Sequence, residues 1–317
     1  MNIESKIIHY LSQKHHKIGD DCAYLSDTKQ LITTDSLLEG VHFDLKYFTD
    51  RQIAHRIFLS NYSDILSSGG IPKYALLSVN TPKNKHKRVF NIIKQLEIYL
   101  KKYQIELIGG DTTSSKNDIN FSLTLLSKQI EKRSILKRSS AKINDNIYTF
   151  ENIGYSKLGY LSIYKKLKIS SKIKGLSQKQ FLEPKIYSYH PMLRQIKVNA
   201  CMDISDGLLT SLEILSKASK IRIIINDLTN VNKLLRKEIN NEFIYNSLIL
   251  TSAEEYVPLF TSQQDLTSLN NLKFFKNMKL KIVKIGEVKK GYGITSSYID
   301  LKNIKSFDHF KNNYRNL

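Results

Sequence analysis

Apolar residues along the first half of the chain switch between two periods. Ile3, Ile7, Ile8 and Leu11 recur at helical spacing, and the β-branched run Gln30-Leu31-Ile32-Thr33-Thr34 reads as a strand. Ile53, Ile57, Phe58 and Ile65 predict a helix over 51–68, ended by Gly69-Gly70, and Ala75 to Val79 a strand after Pro72. A second helix is predicted over 87–103. Ile105 to Ile108 then reads as a strand that breaks at Gly109-Gly110, followed by an alternating strand from Asn120 to Leu126. This half reads βαβαββ. After a polar stretch over 131–144 the mixture resumes: strands near 147–150, 199–202, 222–225, 259–260 and 281–285, and helices near 158–166, 184–197, 208–217 and 231–239. The pattern predicts an α/β (α+β) chain of two domains, 1–137 and 138–317.

Composition narrows the class. A chain of 317 residues, 41% hydrophobic and 25% charged, with 13 Gly and 5 Pro, can bury a core and is neither collagen-like nor wholly disordered. The formal charge of +20 invites a nucleic-acid reading. Its lysines are spread along ordinary helix and turn sequence, as at Lys101-Lys102, Lys165-Lys166 and Lys289-Lys290, so no nucleic-acid partner is expected. Cys22 and Cys201 form neither a disulfide framework nor a zinc motif, which fits a reducing cytoplasm. No run reaches the about 18 apolar residues of a membrane span, and the N-terminus lacks a signal-peptide core, so neither membrane embedding nor export is expected.

Within this basic chain the acids gather beside Gly, Ser and Thr. The places are Gly19-Asp20-Asp21-Cys22-Ala23, Thr33-Thr34-Asp35, Asn61-Tyr62-Ser63-Asp64, Gly109-Gly110-Asp111-Thr112-Thr113 and Met202-Asp203-Ile204-Ser205-Asp206-Gly207. Any one of them fits a turn or a helix cap. Together they suit hard cations, because Mg²⁺ takes oxygen ligands and shares its shell with substrate phosphates. Asp203 and Asp206 stand at a strand end directly before a predicted helix N-terminus, where metals can sit on carboxylates and an anion on free N–H groups. No P-loop, no protein-kinase signature and no dinucleotide fingerprint occurs.

Taken in order, these motifs, with Thr33-Thr34-Asp35-Ser36-Leu37-Leu38-Glu39-Gly40-Val41-His42-Phe43 in full, resemble the thiamine-monophosphate kinase family. Arg138-Ser139-Ser140-Ala141-Lys142 with Asp145, Gly154-Tyr155-Ser156 and Ile285-Gly286-Glu287-Val288 add weaker support. The resemblance implies the two-domain fold shared with aminoimidazole-ribonucleotide synthetase: an N-terminal domain that binds ATP and magnesium and pairs into a homodimer, and a C-terminal α/β domain closing over ATP and substrate. It implies phosphorylation of thiamine monophosphate by ATP, by direct in-line transfer assisted by several Mg²⁺ ions. By position, Asp21, Thr33, Thr34, Asp35, Asp64, Asp111, Asp203 and Asp206 would hold metal, with Asp35, Asp111 and Asp206 as the catalytic acids. Gly110, Asp111, Arg138 and Ser205 would touch ATP, and His42, an acid of the pair Glu254-Glu255 and Phe307 would belong to the substrate pocket. The chain departs from the family at Thr251 to Pro258, where a Gly-rich Gly-Asp-Tyr-Glu-Leu-like segment is usual. The rival readings are a sibling ATP-dependent synthetase with another acceptor and an inactive nucleotide binder.

Overall fold

The computed structural model describes residues 3–271 and 280–304, and the chain divides into two units between Ile135 and Leu136. The first unit begins with helix α1 (Ile3–Lys14) and strands β1 (Ala23–Leu25) and β2 (Gln30–Leu38). It continues with α2 (Asp50–Ser67), β3 (Pro72–Thr81), α3 (His86–Lys102), β4 (Glu106–Ser114) and β5 (Asn120–Ser127). Its sheet runs β1-β2-β5-β3-β4, antiparallel except for the parallel pair β3–β4.

Alternation on the strands decides which face is covered. Leu31 and Leu37 of β2, Ala75, Leu77 and Val79 of β3, and Phe121, Leu123 and Leu125 of β5 are all buried. Helix α2 packs against β2 and β5 and buries Ile53, Ile57, Phe58 and Ile65, each worth roughly 1.5–3 kcal/mol when taken from water. A reciprocal cap starts it: the Gln52 N–H donates to Thr49 Oγ1 at 3.3 Å, and the Thr49 N–H donates to Gln52 Oε1 at 2.9 Å. Helix α3 lies on α2 through Val89, Ile92, Leu96 and Leu100, and Phe58 stacks between Tyr62 and Tyr103, centroids 4.8 and 5.0 Å away.

This packing sets an acid limit. His55 on α2 is 3% exposed with its ring edge-on to Tyr99, and burial, aided by Arg56, Arg51 and Lys102, lowers its pKa to about 3. The unfolded chain takes up that proton near 6.5 and the folded chain does not, so stability present above pH 6.5 is lost as the pH falls toward 3. Urea unfolding is expected to show the wild type losing about 2 kcal/mol more than His55→Phe between pH 7.5 and 5. Parallel pH slopes in the two proteins would contradict this origin.

The second unit carries β6 (Asn146–Phe150), α4 (Tyr155–Tyr164), α5 (Ser171–Leu182), α6 (His190–Gln195), β7 (Cys201–Asp203) and α7 (Leu208–Ser219). There follow β8 (Arg222–Ile225), α8 (Lys233–Glu238), α9 (Glu242–Leu250), β9 (Pro258–Ser262), β10 (Ile282–Lys289) and β11 (Gly293–Thr295). The sheet order is β11-β8-β10-β6-β9-β7, antiparallel apart from the parallel β11–β8 pair. Every residue of β9 is buried, as befits a strand paired on both sides, with β6 and β7, in a covered sheet. No described helix is long and apolar enough to cross a membrane.

Two expectations are corrected here. The strand expected to stop at Gly109-Gly110 runs through both as β4, because Ile108 bulges out of register and Gly110 lets the backbone close on β3. The helix expected over 184–197 exists only as the short α6, with Pro191 in its first turn. Residues 184–189 run irregularly so that Tyr187 and Tyr189 can set their rings edge-on against Phe150, at 6.1 and 5.8 Å. Helices α5 and α9 and the short strands β1 and β11 have no counterpart in the sequence reading.

Candidate active site

In the first unit, the loop before β1 and the last turns of α2 bring two acids together. Carboxylate oxygens of Asp21 and Asp64 lie within 4.8 Å of each other. Each is oriented by a hydroxyl: Ser67 Oγ donates to Asp21 Oδ2 at 2.8 Å, and Thr33 Oγ1 donates to Asp64 Oδ2 at 2.7 Å. The same hydroxyl also lies 3.0 Å from the Asp64 carbonyl, so its single proton is shared between loop and helix. The sequence reading passed over Ser67; its position three residues after Asp64 on a helix is the signal that could have found it. Two neighbouring carboxylates repel, and an oxygen-only donor set of this kind is what a hard divalent cation accepts.

Strand β2 separates the residues of Thr33-Thr34-Asp35. Successive side chains point to opposite faces, so Thr33 and Asp35 share one face and Thr34 takes the other. The Thr34 hydroxyl donates to the Leu123 carbonyl at 3.3 Å and accepts from Thr124 Oγ1 at 2.9 Å, within a polar row that also pairs Ser36 with Ser122. The Thr34 side chain is thus not gathered with Asp64. Asp111 is not gathered there either. It lies on β4 opposite Ser78, and three strand spacings put that strand about 14 Å from Asp35 on β2. All nine residues of β4 are exposed. Gly110 has a steric reason beside any contact with nucleotide, since a Cβ there would lie 1.8 Å from the Leu77 carbonyl oxygen.

In the second unit, β7 delivers Asp203 at 1% exposure, and Ser205 and Asp206 follow, half-buried, on the turn into α7. Gly207 caps the helix at φ 103° and offers no side chain to the first amides of this 12-residue helix. Arg138 is half-buried, its carbonyl held by Ser219 Oγ at 2.8 Å while the same oxygen accepts the Ala141 N–H at 3.1 Å. Asp145 is architectural: at 0% exposure it accepts from the Lys142 N–H, Asn199 Nδ2 and Thr261 Oγ1 at 2.9, 2.8 and 2.7 Å.

The residues expected in the substrate pocket fare differently. His42 is half-buried and its Nδ1 accepts the Leu38 N–H at 3.0 Å, which assigns any proton on the neutral ring to Nε2. Of the pair Glu254-Glu255, only Glu254 keeps an open side, because Glu255 is 1% exposed and taken up by hydrogen bonds inside the unit. Burial pushes the Glu255 carboxyl up to about 7 against those donors. Phe307 lies outside the described residues.

Residues 19–127 match the family described as AIR synthase related protein, N-terminal domain. The thiamine-monophosphate kinase of Leptospira interrogans is 33% identical over 269 residues, 83% of this chain and 84% of the relative. That of Buchnera aphidicola from Schizaphis graminum is 33% identical over an alignment that covers 97% of this chain and 98% of its own. The solved structure of AaThiL complexed with AMPPCP and TMP superposes with a TM-score of 0.77 at 24% identity, covering 97% of each chain, a likeness of fold.

Proposed function

We propose, since the chain belongs to the thiamine-monophosphate kinase family, that it transfers the γ-phosphoryl group of ATP directly to thiamine monophosphate, releasing ADP and thiamine diphosphate. The observation that carries the reading is identity of 33% across 97% of the chain, with Asp203 and Asp206 at a strand end and helix start where phosphate chemistry needs them. Magnesium fits the donor sets on chemical grounds, all oxygen and carboxylate-rich. When bound, it neutralises the phosphates and stabilises charge developing during transfer. In the first unit Asp21, Thr33, Asp35 and Asp64 are assigned to it, with Asp111 from the exposed strand; in the second, Asp203 and Asp206.

The chain's own groups do the rest. Ser67 and Thr33 hold two of the acids in fixed orientations, so little reorganisation remains when cations arrive. The N-terminus of α7, with Ser205 beside it, would offer N–H groups to a nucleotide phosphate, and Arg138 would add a planar donor fork. The attacking oxygen belongs to a phosphate already ionised near neutral pH, so no strong general base is needed. His42 is therefore assigned to binding, its Nδ1 being engaged by Leu38. The fully exposed edge strand β4 supports a homodimer, because a second copy of the chain would cover its unpaired backbone groups and its apolar Leu107 and Ile108. Asp111, three strands from Asp35, would then serve a site completed by that pairing. The buried Cys22 and Cys201 are in keeping with a cytoplasmic setting.

A coupled assay with ATP, Mg²⁺ and thiamine monophosphate is expected to yield ADP and thiamine diphosphate in equal amounts, and neither without Mg²⁺. ADP without thiamine diphosphate would replace this reading with a sibling enzyme acting on another acceptor.

A further inference from the structure

Three segments far apart in sequence meet at one buried side chain of the second unit. Glu255 Oε1 accepts the Gly154 N–H at 2.7 Å and the Ser156 N–H at 3.3 Å, at the start of α4, and the Ser252 hydroxyl at 2.6 Å. Its Oε2 accepts from Gln180 Nε2 on α5 at 3.4 Å. The first amides of a helix have no partner within it, and the residue at this cap is a glycine with no side chain to serve them. Glu255 supplies the missing acceptor from a loop about a hundred residues away, and a carboxylate there also faces the positive end of the helix dipole.

The backbone of the same loop grips the acidic turn. The Glu254 N–H donates to the Ser205 carbonyl at 2.6 Å, and the N–H groups of Glu255 and Tyr256 donate to the Ile204 carbonyl at 3.2 and 2.9 Å. In return the Ile204 N–H donates to the Val257 carbonyl at 2.9 Å. Glu254 and Tyr256 hold left-handed φ values of 57° and 51°, which residues bearing side chains keep only where their surroundings over-determine them. This is the segment that lacks the glycines usual in the family.

We infer that Glu255 is a positioning residue: its carboxylate anchors the 251–257 loop to α4 and α5, and the loop in turn sets the turn that carries Asp203, Ser205 and Asp206. The inference rests on reading Asp203 and Asp206 as metal ligands. Glu255 acts through the loop backbone and touches neither substrate nor metal.

The test uses the full chain, with Mn²⁺ as the probe followed by EPR of the free ion, beside kcat and the KM for thiamine monophosphate. Glu255→Ala removes all four acceptor contacts and is expected to weaken Mn²⁺ binding and lower kcat about tenfold each, with KM within about twofold. Glu255→Gln keeps a carbonyl oxygen for the α4 amides and is expected to restore both to within about threefold of wild type. If Glu255→Ala does not fold, Ser252→Ala, which deletes one donor to Glu255 and the acceptor of the Lys157 N–H on the same helix, carries the same test with an expected loss of about threefold. A raised KM with Mn²⁺ affinity and kcat unchanged would overturn the inference in favour of a substrate contact. Equal impairment of the Gln and Ala variants would overturn it in favour of the charge itself. Mn²⁺ binding is read without substrate, so a chain that binds the ion normally yet forms no thiamine diphosphate fails the proposed activity alone.

Discussion

Asp64→Asn is expected to lower kcat for thiamine diphosphate formation by about 10³-fold or more while leaving the urea midpoint nearly unchanged. The asparagine is isosteric and keeps an oxygen for the Thr33 hydroxyl now bonded at 2.7 Å, so the contact between β2 and α2 survives. Asp64 is only half-buried, and its removal opens no cavity in the apolar face of α2. What disappears is one of two charges whose oxygens lie within 4.8 Å of each other. Losing several kcal/mol of transition-state charge stabilisation is worth about three decades of rate. The measurement is kcat at rising Mg²⁺ beside a denaturation curve. Near-normal turnover with an unchanged Mg²⁺ requirement would remove Asp64 from the metal site, and a collapsed midpoint would make its role structural.

Gly110→Ala is expected to destabilise the first unit by about 3 kcal/mol or more, the largest effect of any small substitution proposed. An added Cβ would sit 1.8 Å from the Leu77 carbonyl oxygen and 2.7 Å from its carbon, and both are backbone atoms of the neighbouring strand that cannot rotate away. The backbone there also stands at φ 157°, at the edge of what other residues adopt. The parallel pairing of Leu77 with Gly110 must open, taking the bulged end of β4 with it. Gly175→Ala is the control: it lies exposed on α5 with nothing within 4 Å of the new atom, and is expected to gain about 0.5–1 kcal/mol. Chemical denaturation of the three proteins decides the matter. An unchanged midpoint for Gly110→Ala would mean that β4 does not pair with β3 as described.

Local chemistry explains which elements were legible. Helix α2 could be placed to within a residue or two because Ile53, Ile57, Phe58 and Ile65 recur at helical spacing and Gly69-Gly70 marks its end. Helix α7 was equally plain, with Gly207 before it and Leu208, Leu212 and Leu215 along one stripe. Strand β4 was cut short because consecutive glycines normally announce a turn, and nothing within the strand records the bulge that lets them remain paired. Helix α9 was missed because its nine residues are apolar on most sides, which gives no clear period.

The candidate site divides along the same line. The sequence by itself determined the chemistry: ordered acids beside Gly, Ser and Thr, an α/β alternation, and a family likeness carried by those residues, because each is written in a few consecutive positions. Only the tertiary structure decided the partners. It joined Asp21 to Asp64 through Ser67, turned Thr34 to the face opposite Thr33, set Asp111 on a strand far from Asp35, and buried Glu255 while leaving Glu254 half open. The physical reason is that a side chain's surroundings are set by strand register and by segments up to about a hundred residues away. Local periodicity fixes a face, and long-range pairing fixes what that face meets.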